Sequence, residues 1–149
     1  MTKFVPLLLG CSLFASVALA KPKVTEIRFE NFPGYIGPPI PKNEFVFCAD
    51  GNFYWLEGTR DKPIRHRYDL STRDFADLVS SFETHHFFAL KPYEFHSVDA
   101  PYAVIRATRG GRTKSYVVGE THNLWELKMI VLGLASRHIG LKRTAIEGR

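Results

Sequence analysis

The sequence predicts an α+β fold: an antiparallel sheet of four to six strands, with two helices packed on one face. Three observations carry this. Two β-prone stretches each fold about a glycine turn, at Asp50-Gly51 and at Gly110-Gly111. Two other stretches, beginning near Thr72 and Leu124, repeat apolar residues at helical spacing. Hairpin and helix then recur in the same order, so the chain reads as two hairpin–helix units, a faint duplication.

Residues 1–20 read as an export signal. Lys3 gives a short basic start, Phe4 to Ala20 is largely apolar, and Ala18-Leu19-Ala20 has the small-x-small form of a cleavage site. Cleavage after Ala20 would place a single domain, residues 21–141, in the periplasm or outside the cell. Leu8-Leu9-Gly10-Cys11 also resembles a bacterial lipobox, which would anchor the chain through a lipidated Cys11. Against that alternative, the apolar run before Cys11 is shorter than the usual stretch of at least about 7 residues. No later stretch approaches the about 20 apolar residues of a membrane-spanning helix.

Val24 to Glu30 alternates. Ile27 and Phe29 point one way and Glu26, Arg28 and Glu30 the other, as in a half-buried strand with its charged side in water. Phe32 to Pro41 holds four prolines and two glycines, which exclude regular structure. Its prolines resemble a polyproline ligand, while Phe32, Tyr35, Ile36 and Ile40 fit a loop draped over apolar surface. The central hairpin spans Phe45 to Gly58. With Asp50 and Gly51 as a two-residue loop, Phe45, Phe47, Tyr54 and Leu56 share one face. Val46, Cys48, Phe53 and Trp55 then share the other, so both faces are apolar. Ile64 to Leu70 fits a third strand, with Arg65 and Arg67 outward.

Ser71 starts a helix. Ser71-Thr72-Arg73-Asp74 approximates a capping box, and Phe75, Leu78, Val79 and Phe82 form one apolar face, so the helix should run from about Thr72 to Thr84. The stretch from His85 to Pro101 is irregular and anchored by aromatics. Tyr102 to Val118 is a second hairpin. With Gly110-Gly111 as its loop, Ala103, Ile105, Ala107, Tyr116 and Val118 face the core, and Arg106, Thr108, Thr113 and Ser115 face water. Asn123 caps the last helix, which should end at His138-Ile139-Gly140 with Gly140 in the left-handed conformation. Residues 142–149 are polar and expected to be loose. Ile146-Glu147-Gly148-Arg149 matches a protease-cleavage linker.

The order and spacing of several motifs carry a resemblance. They are Asp50-Gly51 with its aromatic strand and Gly58, Ser71 opening a helix, and Phe87-Phe88-x-Leu90-Lys91-x-Tyr93. Asp99-Ala100-Pro101, a glycine-turned hairpin and a closing helix follow. Together, over Val24 to Ile139, they resemble a bacterial family of exported domains defined only as a domain of unknown function. The resemblance implies the fold and the compartment and supplies no activity. Members of that family often carry Cys-x-Gly-x-Cys-Pro before the first hairpin. This chain has Phe32-Pro33-Gly34-Tyr35-Ile36-Gly37-Pro38 there, so no role of that cysteine pair transfers.

Composition limits the classes of function. The formal charge of +5 favours weak attraction to anionic envelope surfaces. Nucleic acid is not expected as a partner, because the product reads as exported and carries no recognisable nucleic-acid module. Once Cys11 leaves with the signal, Cys48 has no partner for an internal disulfide, and its mid-strand setting among aromatics fits a buried thiol better than a reactive one.

Three side-chain groups are candidates for chemistry. His85, His86, His96 and Asp99 fall in one irregular stretch and invite a metal-binding or hydrolytic reading, although the spacing matches no recognised ligand pattern. Capping of a helix end by His85 and His86, and an Asp99 turn before Pro101, are the plainer readings. Arg106, Arg109, Arg112 and Lys114 surround the second turn. They form either an anion-binding knuckle or a solvated one. No nucleophile motif and no phosphate-cradling loop is present, and no cofactor is expected. The sequence therefore favours a non-enzymatic domain that binds a protein or envelope component. Phe32, Tyr35, Ile36, Ile40 and Trp55 are the partner surface, and a homodimer is a second way to cover the same apolar residues.

Overall fold

The computed structural model describes residues 22–33, 37, 39–91, 101–118 and 122–147. The strands are β1 (Val24–Phe32), β2 (Glu44–Cys48), β3 (Asn52–Gly58) and β4 (Pro63–Asp69), then, after helix α1 (Thr72–Thr84), β5 (Tyr102–Arg109) and β6 (Arg112–Val118). Helix α2 (His122–Glu147) closes the chain, and a short 3-10 turn spans Phe87–Ala89. All six strands form one antiparallel sheet in the order β4-β3-β2-β1-β5-β6. The first unit is thus a four-stranded meander, and the β5–β6 hairpin joins it at β1. The α+β class, the strand count and the single helical layer are as the sequence predicts.

The core lies between that layer and one sheet face. Ile27, Phe29, Phe47, Phe53, Ala103, Ile105 and Ala107 meet Phe75, Leu78 and Phe82 of α1 and Leu124, Leu127, Val131, Leu134 and Ala135 of α2. Helix α1 begins where its cap requires. The Ser71 hydroxyl accepts from the Asp74 amide at 3.0 Å and donates to the Asp74 carboxylate at 2.8 Å. The β5–β6 register pairs Arg109 with Arg112 about Gly110-Gly111, both at positive φ, as a two-residue hairpin demands.

The central hairpin corrects the sequence reading. Phe47 pairs with Phe53 and Phe45 with Trp55, so the loop has three residues, Ala49-Asp50-Gly51. A two-residue type I′ loop needs positive φ at both Asp50 and Gly51, and only Gly51 has it. The Gly51 amide closes a turn onto the Cys48 carbonyl at 3.2 Å, and the Asp50 carboxylate accepts the Asn52 amide at 3.1 Å. The extra residue flips every side chain of β3. Phe53 and Trp55 join Phe45 and Phe47 on the helix side, and Tyr54 and Leu56 turn to the open face. Phe47 and Phe53 stack at 4.7 Å in the core.

Three further expectations change. Helix α2 starts at His122, runs through Gly140 without a left-handed residue there, and continues to Glu147, so residues 142–147 extend the helix. Strand β1 reaches Phe32, because Phe32 pairs with Tyr102 of β5. Finally, the charged side of β1 does not simply face water, since Glu30 is buried. Among the described residues no helix is long and apolar enough to cross a membrane.

Candidate functional site

The C-terminal end of β1 and the chain entering β2 form the walls of a cavity. The Asn31 amide donates to the Asn43 carbonyl at 3.0 Å, and the Lys42 amide to the Gly58 carbonyl at 2.9 Å. Pro41 bridges Thr59, and the Arg60 amide donates to the Ile40 carbonyl at 2.8 Å. These bonds bind the end of the proline-rich segment to the β3–β4 turn. Phe32 stacks on Tyr102 at 4.7 Å, with the Arg60 guanidinium 5.7 Å from its ring centre. Between them lies an open cavity of about 290 Å³, lined by Asn31, Phe32, Pro33, Pro41, Asn43 and Pro101. Asn43 also accepts the Trp55 indole N–H at 3.2 Å, and Trp55 packs on His66 at 5.0 Å.

This places the partner surface expected from sequence in part. Phe32 lines the cavity and Ile40 is exposed beside it. Trp55 lies on the helix side of the sheet while Phe32 lies on the open side, so the two share no face, although Asn43, which bonds Trp55, lines the same cavity as Phe32. Tyr35 and Ile36 fall outside the described residues. Asn31, Asn43 and Pro101 escaped sequence reasoning, because only the register of β1 against β2 and β5 brings them together. The run Pro41-Lys42-Asn43 next to a strand start was the one local signal.

Next to the cavity, the open face carries a band of charge. Glu30 and Glu44 stand directly opposite each other on β1 and β2, and Arg28 and Arg106 directly opposite on β1 and β5. Like charges so placed repel. Lys42 resolves the first conflict: its ammonium lies 2.6 Å from Glu30 and 2.8 Å from Glu44. Arg106 binds Glu30 at 2.9 Å, and Arg28 reaches Glu44 at 3.4 Å while forking onto Glu26. Both Glu30 and Glu44 are buried beneath these cations, on the sheet face opposite the two described helices. Burial pushes the Glu30 carboxyl up, and the hydrogen bonds from Lys42 and Arg106 outweigh it, leaving it below the usual carboxylate range. Cys48 edges the band. Its thiol is half-buried and pushed up by burial and then by the Asp50 and Glu26 carboxylates, which disfavours the reactive thiolate.

The four basic residues of the second hairpin do not form one cluster. Arg106 points to the open face and binds Glu30, whereas Arg109 and Lys114 point to the helix side. Arg109 lies over the Phe88 ring at 3.5 Å and pairs with Glu83, and Lys114 donates to the Phe88 carbonyl at 2.6 Å. Arg112 is exposed at the turn. These residues hold the segment after α1 against the sheet, and Tyr116 adds a bond to the Leu90 carbonyl at 2.6 Å.

Of the metal candidates, His85 and His86 are described, and His96 and Asp99 lie outside the described residues. Both ring nitrogens of His85 are occupied, Nδ1 by the Ser81 carbonyl at 2.7 Å and Nε2 by the Glu126 carboxylate at 2.7 Å. The ring thereby ties the end of α1 to the first turns of α2. His86 takes a left-handed conformation, φ 54°, that turns the chain into the 3-10 segment. Among the described residues no group of three or more His, Cys, Asp or Glu side chains is placed to hold a metal. No protein-family model matches the chain, and no curated protein matches it.

Proposed function

We propose that this is an exported, non-enzymatic binding domain that grips a protein of the cell envelope at the end of β1. The cavity between Phe32 and Asn43 carries the proposal. It is concave, walled by three prolines and an aromatic ring, and held open by backbone bonds and the Phe32–Tyr102 stack, which make it a preformed seat for a partner's anchor residue. The export signal read at residues 1–20 and the resemblance to exported bacterial domains support an envelope setting. The charged band beside the cavity supplies a polar, wet rim, as protein interfaces have.

Site-specific photocrosslinking in cells tests this. A photoreactive residue at Ile40, on the cavity lip, should form a discrete adduct with one envelope protein, and Asn31→Trp, which fills the cavity, should abolish it. A probe at Met129, exposed on the outer side of α2, should not form that adduct. Failure to form the adduct from Ile40, or an equal adduct from Met129, would overturn the proposal.

A further inference from the structure

Resting on that binding reading, we infer that the cavity receives a tyrosine or tryptophan side chain carried on an acidic stretch of the partner. Four observations lead there. At about 290 Å³ the cavity lies just under the range of about 300–1,000 Å³ typical of whole small-molecule sites, which suits one large side chain. Its walls are mostly ring-bearing: three prolines, Pro33, Pro41 and Pro101, and Phe32, whose ring is already stacked on Tyr102. An aromatic ring fills such a slot with more contact area and less lost rotamer freedom than an aliphatic chain.

The third observation is polar. Asn31 and Asn43 both line the cavity. Asn43 gives its side-chain oxygen to Trp55, and among the described residues neither side-chain NH₂ group has a protein partner. An occupant with a polar tip meets amides there: a tyrosine hydroxyl accepts from those NH₂ groups, and a tryptophan N–H donates to the side-chain oxygen of Asn31, neither of which phenylalanine or leucine can do. The fourth is charge. The rim turn Thr59–Lys62 carries Arg60 and Lys62 against Asp61 alone, and exposed Arg60 reaches over the ring of Phe32. A carboxylate flanking the anchor falls to that guanidinium.

Selection from a random peptide display library on the purified protein tests the inference, with an Asn31→Trp variant as counter-selection and thermal unfolding as its folding control. Enriched peptides should share one Tyr or Trp beside Asp or Glu. Synthetic acetyl-Glu-Trp-Glu-amide should bind about two- to fivefold tighter than acetyl-Lys-Trp-Lys-amide, the scale of an exposed ion pair, and Arg60→Glu should invert that order. The side-chain amide signals of Asn31 and Asn43 should shift on adding the first peptide, a readout needing no variant. Aliphatic or basic peptides enriched on the protein and lost on Asn31→Trp would overturn the inference while sparing the binding reading. Absence of any peptide that distinguishes the two proteins would sink both.

Discussion

Lys42 holds two carboxylates that would otherwise repel across the β1–β2 ladder, and its ammonium is itself largely buried. Such a cluster persists because every charge has a partner: removing one member of a buried pair typically costs about 3–5 kcal/mol, since the other is left uncompensated. Glu30 makes the cluster sensitive to acid. Its carboxyl is held below the usual range in the folded protein, so its contribution is complete above the unfolded value of about 4.3 and lost as pH falls through the folded value. Urea unfolding at pH 6 and at pH 3 should therefore show a steeper loss for the natural protein than for Glu30→Gln. The variant starts less stable at pH 6 and declines less below pH 4.3. Parallel declines would refute this role. None of it was legible residue by residue, because alternation put Glu30 in water and only the pairing of β1 with β2 and β5 shows what surrounds it.

Elements followed their local signals wherever the signal was chemically complete. Helix α1 occupies Thr72–Thr84 because Ser71 and Asp74 cap it and Phe75, Leu78 and Phe82 give it a buried face. The β5–β6 turn formed as expected because two consecutive glycines leave little alternative. Gly110 and Gly111 differ, however. A Cβ on Gly111 would meet nothing within 4 Å, while one on Gly110 would lie 2.8 Å from Cβ of Pro22. Gly111→Ala should cost about 1–2 kcal/mol for the left-handed backbone alone. Gly110→Ala should cost more, because Pro22 must also move, and equal losses in denaturant melts would contradict the contact. Asp50-Gly51 carried a weaker signal: an Asp-Gly pair serves two- and three-residue loops alike, and the choice was made by which aromatics the core could hold.

At the scale of the molecule, one sheet face packs against the helices, and the other carries the charged band together with buried Val46 and Val104. Stacked Phe47 and Phe53 sit where β2 and β3 meet the helices, both fully buried, and Phe53 also touches Tyr68 and His138. Phe53→Ala should lower unfolding free energy by about 3–5 kcal/mol, and Tyr54→Ala, on the open face, by much less. The hairpin register implied by a two-residue loop would require the reverse order, so guanidinium unfolding of the two variants decides between registers. On the open face, Arg28, Lys42 and Arg106 cover Glu30 and Glu44. The apolar surplus that the sequence assigned to the first hairpin is thereby reduced, and the cavity at the end of β1 becomes the more defined place for a partner.

Sequence alone determined the fold class, the existence and order of the elements, the start of α1 and the two-residue turn of the second hairpin. Each of these depends on neighbours a few residues apart: a cap, a glycine pair, a period. Tertiary structure decided which face Phe53 and Trp55 occupy, how far α2 continues past Gly140, and that Arg106 leaves the other basic residues to bind Glu30. It also assembled Asn31, Asn43 and Pro101 into one cavity wall. All but the length of α2 follow from strand register, which is fixed by how side chains far apart in the chain pack together, and a shift of one residue exchanges the two faces of a sheet.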